Sequence, residues 1–535
     1  MSSVGYRQLW AVDPDGWRVA GAAWAGLTGP VDRRVDGLRT SGGRLRGGWS
    51  GPAATAADTR LAGLRDELAS IAPALIEVDQ VLAELAGRLT VAKARLVDAV
   101  ARADAAGLLV DRSGGVRVDP ARVRPSDRAG TTAAGVAADG VAAALRAALD
   151  GATAADRVAA DRLDELARAA GTGWASPPPP GRPAFGTAPA LVGAWWSGLT
   201  PAQRRWLVGR ESALVGRLDG VPVAARDQAN RLQLDVWRTE LLAERRRLLS
   251  RVPPGPLASI RLRGVAGRLA GLEALAGRLT AGGAPRAYLL GLDPAGEGRA
   301  VVALGDPDHA DRVLTYVPGM TAGLDDAPGE LGRAARVLER CTALAPGERS
   351  AAVLWLDYDA PDQLAEAASA GQARDAGPAL HRFQEGLRIS HDGPPARQTV
   401  LGHSYGSLVV GVTAREHGLA ADALVFVGSP GVGASHATEL GVPPGQVWAS
   451  SAPDDVIRAA RPPDELGRRA LLGAAPLAGV LGWPGRTGHE LWFGHDPADP
   501  GFGGRVFPSG RGRHTGYWEA GNPALDGMAR VVLGW

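Results

Sequence analysis

Thr399-Val400-Leu401-Gly402-His403-Ser404-Tyr405-Gly406-Ser407-Leu408-Val409-Val410 is the stretch whose reading decides the fold. It contains G-x-S-x-G between an apolar run that enters it directly and an apolar, helix-compatible run that leaves it. In a chain with 74 glycines among 535 residues, chance alone supplies roughly 0.4 such matches, so the pattern counts only through this setting. The setting is a sharp strand-to-helix turn. A serine at its apex is lifted above a sheet edge, and side chains two residues before and after it would collide with the neighbouring strand and helix. Gly402 and Gly406 remove those side chains. The first N–H groups of the following helix then lie beneath the point where negative charge develops, which makes the Tyr405 amide an expected oxyanion donor.

Outward from this turn, β-prone runs at 287–292, 300–304, 313–317, 352–356, 399–401, 423–427 and 447–450 alternate with segments of helical length such as 330–344, 361–387 and 407–417. Strands alternating with helices predict a mostly parallel sheet covered on both faces. The first two runs, joined by Asp293-Pro294-Ala295-Gly296-Glu297-Gly298, read as an antiparallel hairpin at its edge.

A serine at neutral pH needs a base, and the base needs an acid to orient it. On a nucleophile turn of this kind the chain order is serine, acid, histidine. After 447–450 comes Ser451-Ala452-Pro453-Asp454-Asp455-Val456-Ile457, an acidic turn at the end of a strand; Asp455 is favoured as the acid, with Asp454 the alternative. Of nine histidines, only His489, His495 and His514 follow it. His514 is best placed, in the last loop before a final helix, and His495 is second. The second oxyanion donor is expected after an earlier strand, in Tyr316-Val317-Pro318-Gly319-Met320-Thr321, from the Met320 or Thr321 amide.

Tyr316-Val317-Pro318-Gly319, Trp355-Leu356-Asp357-Tyr358-Asp359-Ala360-Pro361, the Gly402–Ser407 turn, Val427-Gly428-Ser429-Pro430-Gly431 and His514-Thr515-Gly516-Tyr517-Trp518 occur in this order. Together they resemble the actinobacterial α/β-hydrolase family catalogued as domain of unknown function 1023, over about residues 190–535. The resemblance implies an α/β-hydrolase fold and a triad of Ser404, Asp455 and His514, and it implies no substrate. The family's closing His-Ser-x-Tyr-Trp stands here as His-Thr-Gly-Tyr-Trp. An ester, small or lipid-like, is the expected substrate class. The apolar stretch 471–483 reads either as a lid or acyl-binding wall, or as a buried helix.

The first 170 residues hold no convincing strand. Leu64, Leu68, Ile71, Leu75, Val78, Leu82, Leu85, Leu89 and Leu96 form a sustained seam, with Pro73 expected to kink or restart the helix. Trp17, Trp24, Leu27, Val31, Val35, Leu38 and Leu45 supply a partner seam, across a Gly47-Gly48-Trp49-Ser50-Gly51-Pro52 turn. This hairpin resembles the WXG100 family, whose Trp-x-Gly turn is matched by Trp49, Ser50 and Gly51. That likeness implies a helical partner or self-association through residues 1–110 and, as the alternative to an enzyme, a type VII secretion-associated binding or effector protein whose helical region is the working part. The Tyr-x-x-x-Asp/Glu signal of type VII secretion clients is not matched, since no tyrosine occurs between Tyr6 and Tyr288. The expected domains are a helical hairpin at 1–125, a helical extension with a Pro-rich linker at 126–189, a helical segment at 190–285 and a catalytic domain at 286–535. Arg226, Asp227, Asn230 and Arg231 read as a solvated, salt-bridged helix face.

Composition narrows the rest. Lys and Arg number 59 against 57 Asp and Glu, a balance that argues against nucleic-acid binding. Lys93 is the only lysine, so the arginine excess reads as codon bias. One cysteine, Cys341, excludes a disulfide within the chain and a multi-cysteine metal site. No cofactor or metal motif is present. With no run of about 20 uninterrupted apolar residues and no ordinary signal peptide, the chain is expected in the cytoplasm, or exported by a type VII-like route.

Overall fold

The computed structural model describes residues 3–48, 50–122, 128–172, 181–250, 256–281, 285–459 and 490–535. Trp49, most of the Pro-rich segment (174–180), the apolar stretch 471–483 and His489 lie outside them. Cα packing divides the chain into two compact units, one formed mainly by residues 1–177 and the other by most of 178–535.

The first unit runs α1 (Tyr6–Ala11), α2 (Pro14–Ala25), α3 (Thr28–Gly48), α4 (Pro52–Ala69), α5 (Ile71–Ala105), β1 (Leu108–Val110), β2 (Val116–Val118) and α6 (Arg128–Thr172). Pro52 opens α4, where its missing N–H costs nothing, and Gly51 ahead of it takes φ +126°. The seam around Pro73 restarts rather than kinks: α4 ends at Ala69, and Pro73 falls in the first turn of α5. Leu82, Leu85, Leu89 and Leu96 are buried as the seam requires, and three of them share a core with Leu145, Ala148 and Ala152. The segment past 126 therefore supplies, in α6, a principal packing partner of α5.

Two expectations change here. Trp17, Trp24 and Leu27 do not line the seam but are 43, 46 and 47% exposed. Helix α2 packs on α5 through its small-residue face instead, where Gly21 lies so close that an added Cβ would stand 2.8 Å from Asp79 Oδ1. Close backbone approach excludes the bulky face from the contact. A short antiparallel hairpin, β1 with β2, also interrupts the helices. Three-residue strands leave too little alternation to detect. Its turn rests on Asp111 Oδ1, which accepts from the Ser113 and Gly115 amides at 2.7 and 3.0 Å, and on Gly114 at φ +87°. Among the described residues one helix, Gly130–Gly171 within α6, is long and apolar enough by length and composition to cross a membrane. Alanine rather than an uninterrupted Leu/Ile/Val run makes it so.

The second unit begins with α7 (Pro189–Ser197), α8 (Pro201–Arg210), α9 (Ser212–Val215), α10 (Val223–Leu249) and α11 (Pro256–Thr280). Then follow β3 (Ala287–Asp293), β4 (Arg299–Leu304), β5 (Arg312–Val317), α12 (Ala327–Leu344), β6 (Ser350–Leu356), α13 (Leu364–Ala367), α14 (Gly371–Ser390), β7 (Arg397–His403), α15 (Tyr405–Glu416), β8 (Ala423–Val427) and β9 (Val447–Ser450). The chain closes with β10 (Glu490–Leu491), β11 (Gly494–His495), β12 (Arg505–Val506) and α16 (Pro523–Leu533). The sheet order is β12-β9-β8-β7-β5-β6-β4-β3, parallel from β12 to β6 and antiparallel across β6-β4-β3. All seven expected strands form, and the early hairpin takes the edge. Every residue of β8 is buried, so helices must cover both faces. This is the α/β-hydrolase fold, with a helical region before it.

The Arg226–Arg231 cluster is not a solvated face. Arg226, Asp227 and Asn230 are buried. Asp227 Oδ1 accepts from the Leu289 amide at 2.7 Å and from Arg231 Nε at 2.8 Å. Asn230 donates to the carbonyls of Leu289 and Gly216, both at 3.0 Å, and Arg231 donates to those of Leu279 and Ala287, both at 3.0 Å. Side chains of α10 thus satisfy the outer hydrogen-bonding groups of β3, the edge strand, which would otherwise be open to pairing.

Candidate active site

The site grows from the β7–α15 turn. Ser404 sits between them at φ 55°, ψ −129°, a region a non-glycine residue occupies only under constraint. Its amide donates to Val427 O at 3.0 Å, which ties the turn to β8. A Cβ on Gly402 would stand 2.6 Å from Gly406 O and Ser407 Cα, and one on Gly406 would stand 2.2 Å from Val317 O. The two glycines therefore let helix and strand converge beneath the serine. Only Thr321, at φ 59°, shares a positive φ with Ser404 among described non-glycine residues.

Thr321 belongs to the loop after β5 that lies on Ser404: a Cβ on Gly319 would stand 2.7 Å from Ser404 Cβ. Tyr358 donates its hydroxyl to Pro318 O at 2.7 Å and holds this loop from below. The Thr321 amide is already spent on Pro361 O at 2.9 Å. Of the two amides expected as second oxyanion donor, Thr321 is thus set aside and Met320 remains.

Past β9, the carboxylate of Asp455 is buried and faces His514. His514 Nδ1 lies 2.8 Å from Asp455 Oδ1 and 3.0 Å from Oδ2. Asp454 is exposed and takes no part. Burial would raise the Asp455 carboxyl, but hydrogen bonds from His514, from the Tyr517 hydroxyl and from the Ile457 amide outweigh it and hold it below the ordinary carboxylate range. Tyr517 Oη donates to Asp455 Oδ2 at 2.6 Å and accepts from the Ala452 amide at 2.9 Å. Gly428, at φ +55°, leaves room for both partners: a Cβ there would stand 2.9 Å from Asp455 Oδ2 and 3.2 Å from His514 Nδ1. Gly428 directly follows Val427, the acceptor of the Ser404 amide, so one strand end joins the serine to the histidine–aspartate pair.

His403 completes the floor. Its ring lies 4.7 Å from that of His514, and its Nε2 is 2.9 Å from the His514 carbonyl. Burial, and the neighbouring His514, push its pKa down to about 3, so it is neutral and donates that hydrogen bond. Trp518 meets His403 edge-on at 4.9 Å. Arg333 lies over the Trp518 ring and is held by Glu330 at 2.6 Å, which also accepts from the Tyr316 hydroxyl at 2.6 Å.

The fold therefore brings Ser404, Tyr405, Asp455, His514, Gly402, Gly406 and the Met320 loop together. His495 is elsewhere engaged, between Glu490 at 3.2 Å and Asp499 at 3.1 Å. Cys341 is buried with its thiol pushed up to about 12. Among the described residues no group of three metal-ligating side chains occurs. The parts that sequence reasoning passed over are Tyr517, Gly428 and His403. All three sit inside stretches quoted above, but single residues carry no periodicity that would announce their contacts.

A sharp serine turn at the end of a central parallel strand, with a histidine–aspartate pair beside it, defines a chain of the α/β-hydrolase class. A family model described as alpha/beta hydrolase matches residues 293–465. The uncharacterized protein Rv2079 of Mycobacterium tuberculosis is 31% identical over 383 residues, 67% of this chain and 56% of the relative. The uncharacterized protein Rv0963c of the same organism is 36% identical over 192 residues, 34% of this chain and 71% of the relative. The chain belongs to this alpha/beta hydrolase family. It spans about half the length of the first relative. Among solved structures, a hyperthermophilic esterase from Pyrobaculum calidifontis overlaps 56% of this chain and 96% of its own, at 13% identity and a TM-score of 0.27.

Proposed function

We propose that this protein is a serine hydrolase acting through an acyl-enzyme on an ester, as a carboxylesterase or lipase-like enzyme. The observation that carries the reading is the 2.8 Å contact of His514 Nδ1 with a buried Asp455 beside a Ser404 held at φ 55°. With Nδ1–H committed to Asp455, the lone pair of His514 is on Nε2, the atom that can take a proton. In the first step Ser404 Oγ attacks the ester carbonyl carbon and its proton passes to His514 Nε2. The carbonyl π electrons move to oxygen, where the Tyr405 and Met320 amides are the donors this reading assigns. Collapse expels the alkoxide, which takes the proton from His514 and leaves as the alcohol. Water then repeats the sequence on the acyl-enzyme, releasing the acid and regenerating Ser404.

The test is hydrolysis of p-nitrophenyl esters of graded acyl length. Wild-type protein should turn over at least one of them and Ser404→Ala none; equal rates for the two proteins would remove the reading. A second reading, a helical partner or self-association through residues 1–110, is favoured by one observation. Trp17 and Trp24, seven residues apart on α2, are both exposed, as is Trp10 on α1.

A further inference from the structure

A cavity sharing no residue with the Ser404 site opens in the second unit, between α10, the β3–β4 hairpin, the end of β6 and α14. About 100 Å³ of it is open to water, where one water needs roughly 10–15 Å³ by this measure. A solute the size of a small amino acid therefore fits. Its lining is mainly polar, with three arginines and three aspartates. On its floor Arg226 is paired with Asp219 at 3.0 Å. Yet Arg226 Nε is buried and has no hydrogen-bond partner. Asp357, directly after β6, receives no protein hydrogen bond among the described residues, and burial together with the charge of Asp219 pushes its carboxyl up, against the opposing charges of Arg299, Arg217 and Arg226. At the mouth Arg217 lies 5.1 Å over the ring of Phe185, and Arg382 projects from α14.

The Asp227–Asn230–Arg231 network, one turn further along α10, closes its hydrogen bonds on the sheet. The cavity does not, and its open groups are of both signs: arginines toward the mouth, a carboxyl inside. A lone anion would compete with the Asp357 carboxyl for the same arginines, and a lone cation would leave the arginines at the mouth unanswered. We infer that this cavity is a binding site for a small zwitterion of the amino-acid type, with its carboxylate against Arg217 and Arg382 and its ammonium against Asp357.

The probes are glycine, acetate and methylammonium, titrated into the full chain by calorimetry and followed by thermal shift. Glycine should bind saturably and at least about tenfold more tightly than either half-molecule. Asp357→Asn and Arg382→Gln should each weaken it by about tenfold or more, while Ser404→Ala binds as wild type does. No saturable glycine signal up to about 50 mM, acetate binding as well as glycine, or both cavity variants binding like wild type would each overturn the inference. If Asp357→Asn does not fold, Arg382→Gln, at a half-buried helix position, still decides it.

Discussion

Tyr517 and Asp455, 62 residues apart, share a 2.6 Å hydrogen bond at Oδ2 that fixes the carboxylate alongside its contact with His514. The same hydroxyl accepts from the Ala452 amide, so it anchors the acidic loop at both ends. Tyr517→Phe removes both bonds at little change in shape. A loss of about 1–3 kcal/mol follows from one buried, charge-assisted bond. The sign with pH is set by Asp455, whose folded carboxyl lies below its unfolded value. Its contribution is present above the unfolded carboxylate pKa, about 3.9, and is lost as pH falls through the lower folded value. The Tm gap between wild type and Tyr517→Phe should be widest near pH 7 and narrow on acidification to the part that the non-titrating Ala452 bond carries. A gap of the same size at pH 7 and below about pH 2 would show that the Tyr517 hydroxyl does not act through the Asp455 carboxylate.

Asp455→Asn keeps the volume and reverses the hydrogen-bond preference at Oδ1, so His514 turns its lone pair toward Nδ1. An activity loss of about 10³- to 10⁴-fold in kcat with little change in KM is expected. Asp454→Ala, at the exposed neighbour, should leave kcat and Tm unchanged. Steady-state kinetics on one ester substrate compares them.

Gly428 tests whether the site is packed as tightly as the distances indicate. An alanine there adds a Cβ 2.9 Å from Asp455 Oδ2 and places a side chain at φ +55°, a strain of about 1–2 kcal/mol. The expected outcome is at least about a tenfold fall in kcat with circular dichroism unchanged. Unaltered turnover would mean that the histidine–aspartate pair can shift at no cost.

Asp227 carries no part of the proposed chemistry but caps the edge strand. Asp227→Ala strands the Arg231 charge and the Leu289 amide, and breaking a buried pair costs about 3–5 kcal/mol. Thermal unfolding should show a marked fall in Tm. The purified variant should also self-associate more readily, because β3 loses part of its cover.

The parallel sheet was legible because seven strands were apolar runs bounded by turns, and the serine turn because Gly402 and Gly406 answer a steric demand that sequence alone states. The sequence favoured Asp455 but left Asp454 open, because burial and the contact with His514, which separate the two, are not visible in adjacent residues of a turn. Two readings failed for one reason. Polar residues at Arg226–Arg231 and aromatic residues at Trp17 and Trp24 were sorted by their own polarity, whereas the deciding factor was the neighbour. An open strand edge at Leu289 drew the polar side chains inward, and close approach at Gly21 turned the tryptophans outward. Strand β12, two residues long, carries too little pattern to be read.

The central claim is that Ser404 is a nucleophile activated by His514. Labelling of the full chain with a fluorophosphonate probe, followed by peptide mass mapping, tests it most directly. The account predicts one adduct, on Ser404, absent in Ser404→Ala and slowed by about 10³-fold or more in His514→Ala. A folded wild-type protein modified elsewhere, or labelled equally with and without His514, would contradict it.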